Sequence, residues 1–184
     1  MIAENINNVK KFMSELLIGD KFNDFLTLDV TITTYNTFHI DGHIKKDFYE
    51  KDDYDALGSP GISTWSTLKP LCYEIIKGKR TPLNFKIIFG LSGEKIQDLI
   101  DKSGTDLKIN DVNGLFINIK YEKGFLQYVT GTSLAIFTMN KDLEKEFDKY
   151  VSTFISTLFW WVLIFSWHFI FWVLKWLIEK LKNL

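Results

Sequence analysis

Apolar residues recur along this chain with two different periods, and the switches between them lay out the elements. Val9, Phe12, Met13, Leu16 and Leu17 fall at helical spacing, with Asn7 or Asn8 placed to cap the helix and Gly19 to end it. Residues 2–6 read as a short strand before it. Further on, Leu26, Leu28, Val30 and Ile32 alternate with Thr27, Asp29, Thr31 and Thr33, the period of a strand with one wet face. Phe38, His39 and Ile40 return as a second strand, which predicts a hairpin ending at an Asp41-Gly42 turn. Trp65, Leu68, Leu71, Cys72, Ile75 and Ile76 then share one face of a helix that Gly78 ends. Pro70 belongs either to the first turn of that helix or to a kink in it. LNFKIIFGLS at 83–92 reads as a buried strand, and Ile96, Leu99 and Ile100 as a helix entered at Ser92. Residues 115–121, 125–130 and 133–139 predict three strands of a meander, turning at Glu122-Lys123-Gly124 and at Gly131. Residues 141–150 begin a helix capped by Asn140. The charged stretch 45–55 and the breaker Gly58-Ser59-Pro60-Gly61 predict a surface connection.

The pattern changes once more at the end. From Tyr150 to Leu174 no residue carries a charge for 25 positions, and at about 1.5 Å per residue such a helix would span roughly 37 Å, against a hydrocarbon core of about 30 Å. Residues 154–174 hold thirteen Phe, Ile, Leu or Val and four Trp, with only Ser156, Thr157, Ser166 and His168 as polar interruptions. This predicts a transmembrane anchor over 151–174, with Phe154, Trp160, Trp161, Trp167, Trp172 and Leu174 among its membrane residues. A short polar tail, 175–184, follows. The expected organisation is a soluble α+β domain over 1–150, mostly antiparallel sheet with two to three helices, and one C-terminal span.

Composition adjusts this picture only slightly. Residues 1–150 carry 19 Lys and Arg against 22 Asp and Glu, and 151–184 carry three Lys against one Glu, so neither part announces nucleic acid by charge alone. One cysteine, Cys72, leaves no internal disulfide and no multi-cysteine zinc site. The start MIAENINNVKKFM lacks the apolar core of an export signal. Three lysines lie on each side of the apolar run, so the positive-inside count decides no orientation. With no export signal read at the start, the expectation is a cytoplasmic domain and a short translocated tail.

Few residues offer chemistry. Lys77, Lys79 and Arg80 crowd the end of a helix, a geometry able to hold a phosphate, a membrane surface or nucleic acid; a capped and solvated helix end is the plainer reading. His39 and Asp41 would share one face of a strand with His43 next to them, yet a metal would need another ligand, and the wet face of a hairpin accounts for all three. His168 reads as a neutral hydrogen-bonding group, Cys72 as a buried structural thiol. The acids Asp47, Glu50, Asp52, Asp53 and Asp55 are adjacent rather than spaced for two-carboxylate catalysis. The glycines match no phosphate-cradling or dinucleotide pattern, and no cofactor is implied.

Two resemblances add to this. Strand, helix and hairpin occur twice in succession, and LFINIKYEKGFLQYVTGTSLAIF looks like part of a DNA sliding-clamp domain, where a short hairpin leads into a threonine-glycine-threonine step. More broadly, DVTITTYNTFHIDG at 29–42, IIKGKRTPLNFK at 75–86 and GLFINIKYEKGFLQYVTGTSLAIFT at 114–138 resemble an uncharacterised clostridial and Firmicutes family, domain of unknown function 5721. That resemblance implies a shared fold over residues 1 to about 154 and no activity. Its members end in a soluble helix with a short polar tail, so the apolar run is a departure. The resulting expectation is a membrane-anchored, non-enzymatic binding module, with the bilayer as partner and a protein or a second copy as a further one. A clamp-like nucleic-acid-associated domain is the alternative, and a metal-dependent enzyme using His39, Asp41 and His43 the least supported.

Overall fold

The computed structural model describes residues 1–56 and 61–159. Its strands are β1 (Ala3–Asn5), β2 (Leu26–Thr33), β3 (Thr37–Asp41), β4 (Asn84–Gly90), β5 (Val112–Glu122) and β6 (Phe125–Leu134). They form one antiparallel sheet in the order β1-β6-β5-β4-β2-β3. The α-helices are α1 (Val9–Leu17), α2 (Lys51–Ala56), α3 (Trp65–Ile76), α4 (Gly93–Ser103) and α5 (142–159). Five α-helices among the described residues replace the two to three expected. α2 accounts for part of the excess: its charged sequence has no helical apolar stripe, and it is almost wholly exposed.

Local chemistry explains most boundaries. The Asn8 side chain accepts from the Lys11 amide at 3.1 Å and starts α1; Ser92 does the same for α4, which ends at Gly104 in the left-handed conformation. The β5–β6 hairpin closes through Lys123 and Gly124, both with positive φ, as a two-residue turn matched to strand twist demands. Pro70 lies inside α3, past its first turn. It and Ser66, whose carbonyl its missing N–H cannot serve, are both exposed, so water takes that place.

Three expectations fail at glycines or at the end of the chain. Asp41-Gly42 is not a turn. A Cβ on Gly42 would fall 1.6 Å from the Thr27 carbonyl oxygen, and the Gly42 amide donates to Leu28 at 3.0 Å, so glycine is there for close backbone approach. Gly131 does not turn either. It pairs with Phe116 inside a continuous β6, so the separate strand over 133–139 is absent, and residues 135–139 are not in a strand.

The last failure concerns α5. Leu143, Phe147, Val151, Ile155 and Leu158 form one buried stripe, and the Phe154 ring lies 5.1 Å from Phe22 and 5.2 Å from Phe25. Residues 151–159, assigned to the membrane by hydropathy, therefore lie within the domain, because a helix buried in a core is as apolar there as one in lipid. Among the described residues no helix is long and apolar enough to cross a membrane. The rest of the expected span, with Trp160, Trp161, Trp167, His168, Trp172 and Leu174, and the tail 175–184 lie outside the described residues.

α1, α3, α4 and α5 contribute to one core against one face of the sheet, built on Val30, Ile32, Phe85, Ile87, Phe89, Ile117, Ile119 and Tyr128. Phe89 is its centre, in ring contact with Phe22, Phe25 and Trp65. The Trp65 indole N–H donates to the Leu16 carbonyl at 2.7 Å and ties α3 to α1. The strand-helix-hairpin order does occur twice, but not as two equal halves in space: β4 pairs with β5 of its own unit, whereas β1 pairs with β6 of the other.

Candidate functional site: a cation-rimmed groove

α1 carries more apolar residues than the core uses. Phe12 and Leu16 are fully buried, while Val9, Met13 and Leu17, a second stripe at i, i+4, i+8, are only half-buried. This second stripe is one wall of a groove of about 460 Å³. Ile76 and Pro82 form the opposite wall, and the floor is the pair Phe85 and Tyr121, stacked at 5.2 Å and 13°. Lys10, Lys77, Lys79 and Arg80 stand around it, and no Asp or Glu lines it. The turn 77–81 is a ridge: its far side borders a second concavity with Thr34, Tyr35, Ile75 and Leu83, again without a carboxylate.

The three cations singled out in the sequence thus come together, joined by Lys10 from α1. Lys77 lies 2.5 Å from Glu74 on the preceding turn and is partly neutralised. Lys10, Lys79 and Arg80 form no ion pair among the described residues. The macrodipole of α3 favours positive charge there, and the Lys77 amide closes the helix on the Tyr73 carbonyl at 2.8 Å.

The groove walls were not recognisable in advance as a site. Val9, Met13, Phe85 and Tyr121 come from three distant elements. The only signal was the width of the apolar face on α1, which a single core does not need.

The histidine cluster is built differently. His39 Nδ1 lies 3.3 Å from Asp29. His43 Nδ1 lies 2.6 Å from Asp41 Oδ1, and Lys45 Nζ 2.8 Å from Asp41 Oδ2. The Lys45 ammonium, with the His43 amide and ring, holds the Asp41 carboxyl well below the usual range. His39 and His43 answer to separate carboxylates and do not converge. Among the described residues no group of three or more His, Cys, Asp or Glu could hold a metal ion. Cys72 is buried and its thiol is pushed up to about 12 by burial, so it is protonated at neutral pH and unsuited to nucleophilic or ligand chemistry.

Beyond α1 from the groove, two lysines mark the last described turn of α5. Lys11 Nζ donates to the Phe159 carbonyl at 3.1 Å and Lys21 Nζ to the Thr157 carbonyl at 3.0 Å. The apolar run therefore follows from a point flanked by positive charge.

What fold and groove define together is an antiparallel α+β domain with one helical layer and a cation-rimmed groove. A family model, the Family of unknown function (DUF5721), matches residues 15–158, and the chain belongs to that family. The match ends one residue before the last described residue of α5, so 151–158 are part of the family domain rather than an addition to it. Comparison with curated proteins and with solved structures finds no match.

Proposed function

We propose that this protein is a non-catalytic binding module working at a membrane surface, with the cytoplasm-facing domain held there by the apolar residues beyond Phe159. The observation that carries this is the junction itself: Lys11 and Lys21 sit on the last described turn of α5, directly before 15 uncharged residues, Trp160–Leu174, that include four Trp. As a helix those 15 residues would reach only about 22 Å, less than a hydrocarbon core of about 30 Å. The attachment then draws on Trp176–Ile178 beyond Lys175, whose ammonium reaches the interface on its flexible stem, and on anionic headgroups around Lys11 and Lys21.

The test is vesicle flotation of the full chain followed by salt and carbonate washes. With phosphatidylcholine vesicles carrying anionic lipid, the protein is expected to stay with the membrane in both washes. A chain that remains folded and soluble beside the vesicles overturns the reading. Release by salt alone would leave electrostatic docking and remove the inserted segment.

A further inference from the structure

We infer that the groove between α1 and the 77–81 turn is a binding site for a single-chain anionic amphiphile: a hydrocarbon chain along the apolar floor, with its carboxylate or phosphate head against Lys79 and Arg80. The inference rests on reading the domain as a binding module and names what the module takes.

Two properties of the groove must be met at once. Its wall Val9-Met13-Leu17 and the Tyr121 ring are only half-buried, with Phe85 buried beneath them; water covers such apolar surface unfavourably and a hydrocarbon covers it well. Its rim gathers Lys10, Lys77, Lys79 and Arg80 without one carboxylate, in a chain with 23 Asp and Glu to draw on. Free inorganic phosphate would satisfy the rim and leave the floor wet. An uncharged hydrocarbon would fill the floor and leave Lys10, Lys79 and Arg80 without a counter-charge. An amphiphile with one anionic end does both, and the planar fork of Arg80 suits a two-oxygen head. The volume, about 460 Å³, lies at the lower end of the roughly 300–1,000 Å³ of small-molecule sites, which favours one chain over two.

The groove is also separate from the attachment point. Lys10 faces it, while Lys11, the next residue, is engaged with Phe159. Membrane attachment and ligand occupancy can therefore be broken independently.

The experiment is photo-crosslinking of the full chain, held in phosphatidylcholine nanodiscs, with dodecyl phosphate bearing a diazirine near the end of its chain. Labelled peptides are mapped by mass spectrometry. Label is expected on 9–17 and 76–85. Excess dodecyl phosphate and dodecanoate compete it away, and their relative potency tells a phosphate head from a carboxylate. Dodecyltrimethylammonium and inorganic phosphate do not compete. Replacing Lys79 and Arg80 together by Ala, both exposed, should lower the labelling affinity by about tenfold or more with the chain still folded. Met13→Glu should abolish labelling, and the alanine pair keeps the test valid should that variant unfold. Label without enrichment in the two peptides overturns the site, as does equal competition by the cationic amphiphile or by phosphate alone. An unlabelled groove in a chain that still resists the salt wash removes this ligand and leaves the membrane reading. A labelled groove in a chain that salt releases keeps this ligand and removes the inserted segment.

Discussion

The end of the β2–β3 hairpin and the turn after α3 are both polar, exposed and rich in chemistry-bearing side chains, yet they are resolved in opposite ways. At the hairpin end each charge has found its partner: Asp41 takes His43 and Lys45, and Asp29 takes His39. At the 77–81 turn four cations meet over an apolar floor, and only Lys77 has a carboxylate close by. Charge that is internally balanced serves the fold; charge assembled without its complement, beside uncovered apolar surface, is what a ligand supplies. The sequence alone gives both clusters a plainer, solvated reading and makes the histidine cluster the less supported of the two.

The largest effect that would sharpen this contrast is structural. Gly42→Ala should destabilise the protein by about 2–4 kcal/mol, read as a lowered urea midpoint, because the clash is with the Thr27 backbone and no side chain can move aside. A neutral outcome would mean that the hairpin end is looser than its contacts imply. Next, replacing Lys79 and Arg80 by Ala should change the unfolding free energy by no more than about 0.5 kcal/mol while weakening anionic amphiphile binding. A large stability loss would make the turn structural after all and erase the difference.

A smaller effect concerns pH. The Asp41 carboxyl is held below its ordinary value of 3.8, so its interactions stabilise the fold above that pH and are lost as pH falls through the still lower folded value. Asp41→Asn should therefore cause a slight fall in Tm at pH 6 that closes below about pH 3.8; the exposed site keeps the size small. Smallest of all, zinc or EDTA should leave Tm unchanged, because His39 and His43 are oriented by different acids. A rise of several degrees with one equivalent of zinc would join the two histidines into a site and reverse the comparison.

Much of the fold was legible from residue patterning. The period-2 stretch of β2 from Val30 on, the helical spacing of α1, the Asn8, Ser92 and Asn140 caps and the Lys123-Gly124 turn are all local statements, and local chemistry decides them, whereas a bulge buries Thr27 and Leu71 of the expected α3 face is exposed. The failures share one cause. Gly42 and Gly131 read as turns because glycine permits turns, but Gly42 answers to the Thr27 carbonyl brought close by another strand, and Gly131 pairs with Phe116 inside β6. Phe154 read as a membrane residue because hydropathy cannot tell one apolar medium from another; its partners, Phe22 and Phe25, lie about 130 residues earlier.

The same division runs through the candidate site. Lys77, Lys79 and Arg80 are adjacent in the chain, so the sequence determined by itself that positive charge is concentrated there. It also determined the apolar run that begins inside α5 and the family to which the domain belongs. Only the tertiary structure decided that α1 lays Val9, Met13 and Leu17 beside that charge, that Phe85 and Tyr121 stack beneath it, and that no Asp or Glu lines the groove. It decided too that nine residues of the run, 151–159, belong to the domain, with Val151, Ile155 and Leu158 in its core. The physical reason is that charge density and hydropathy are properties of neighbouring residues, whereas a groove, and the choice between core and lipid, depend on contacts between residues far apart in the chain.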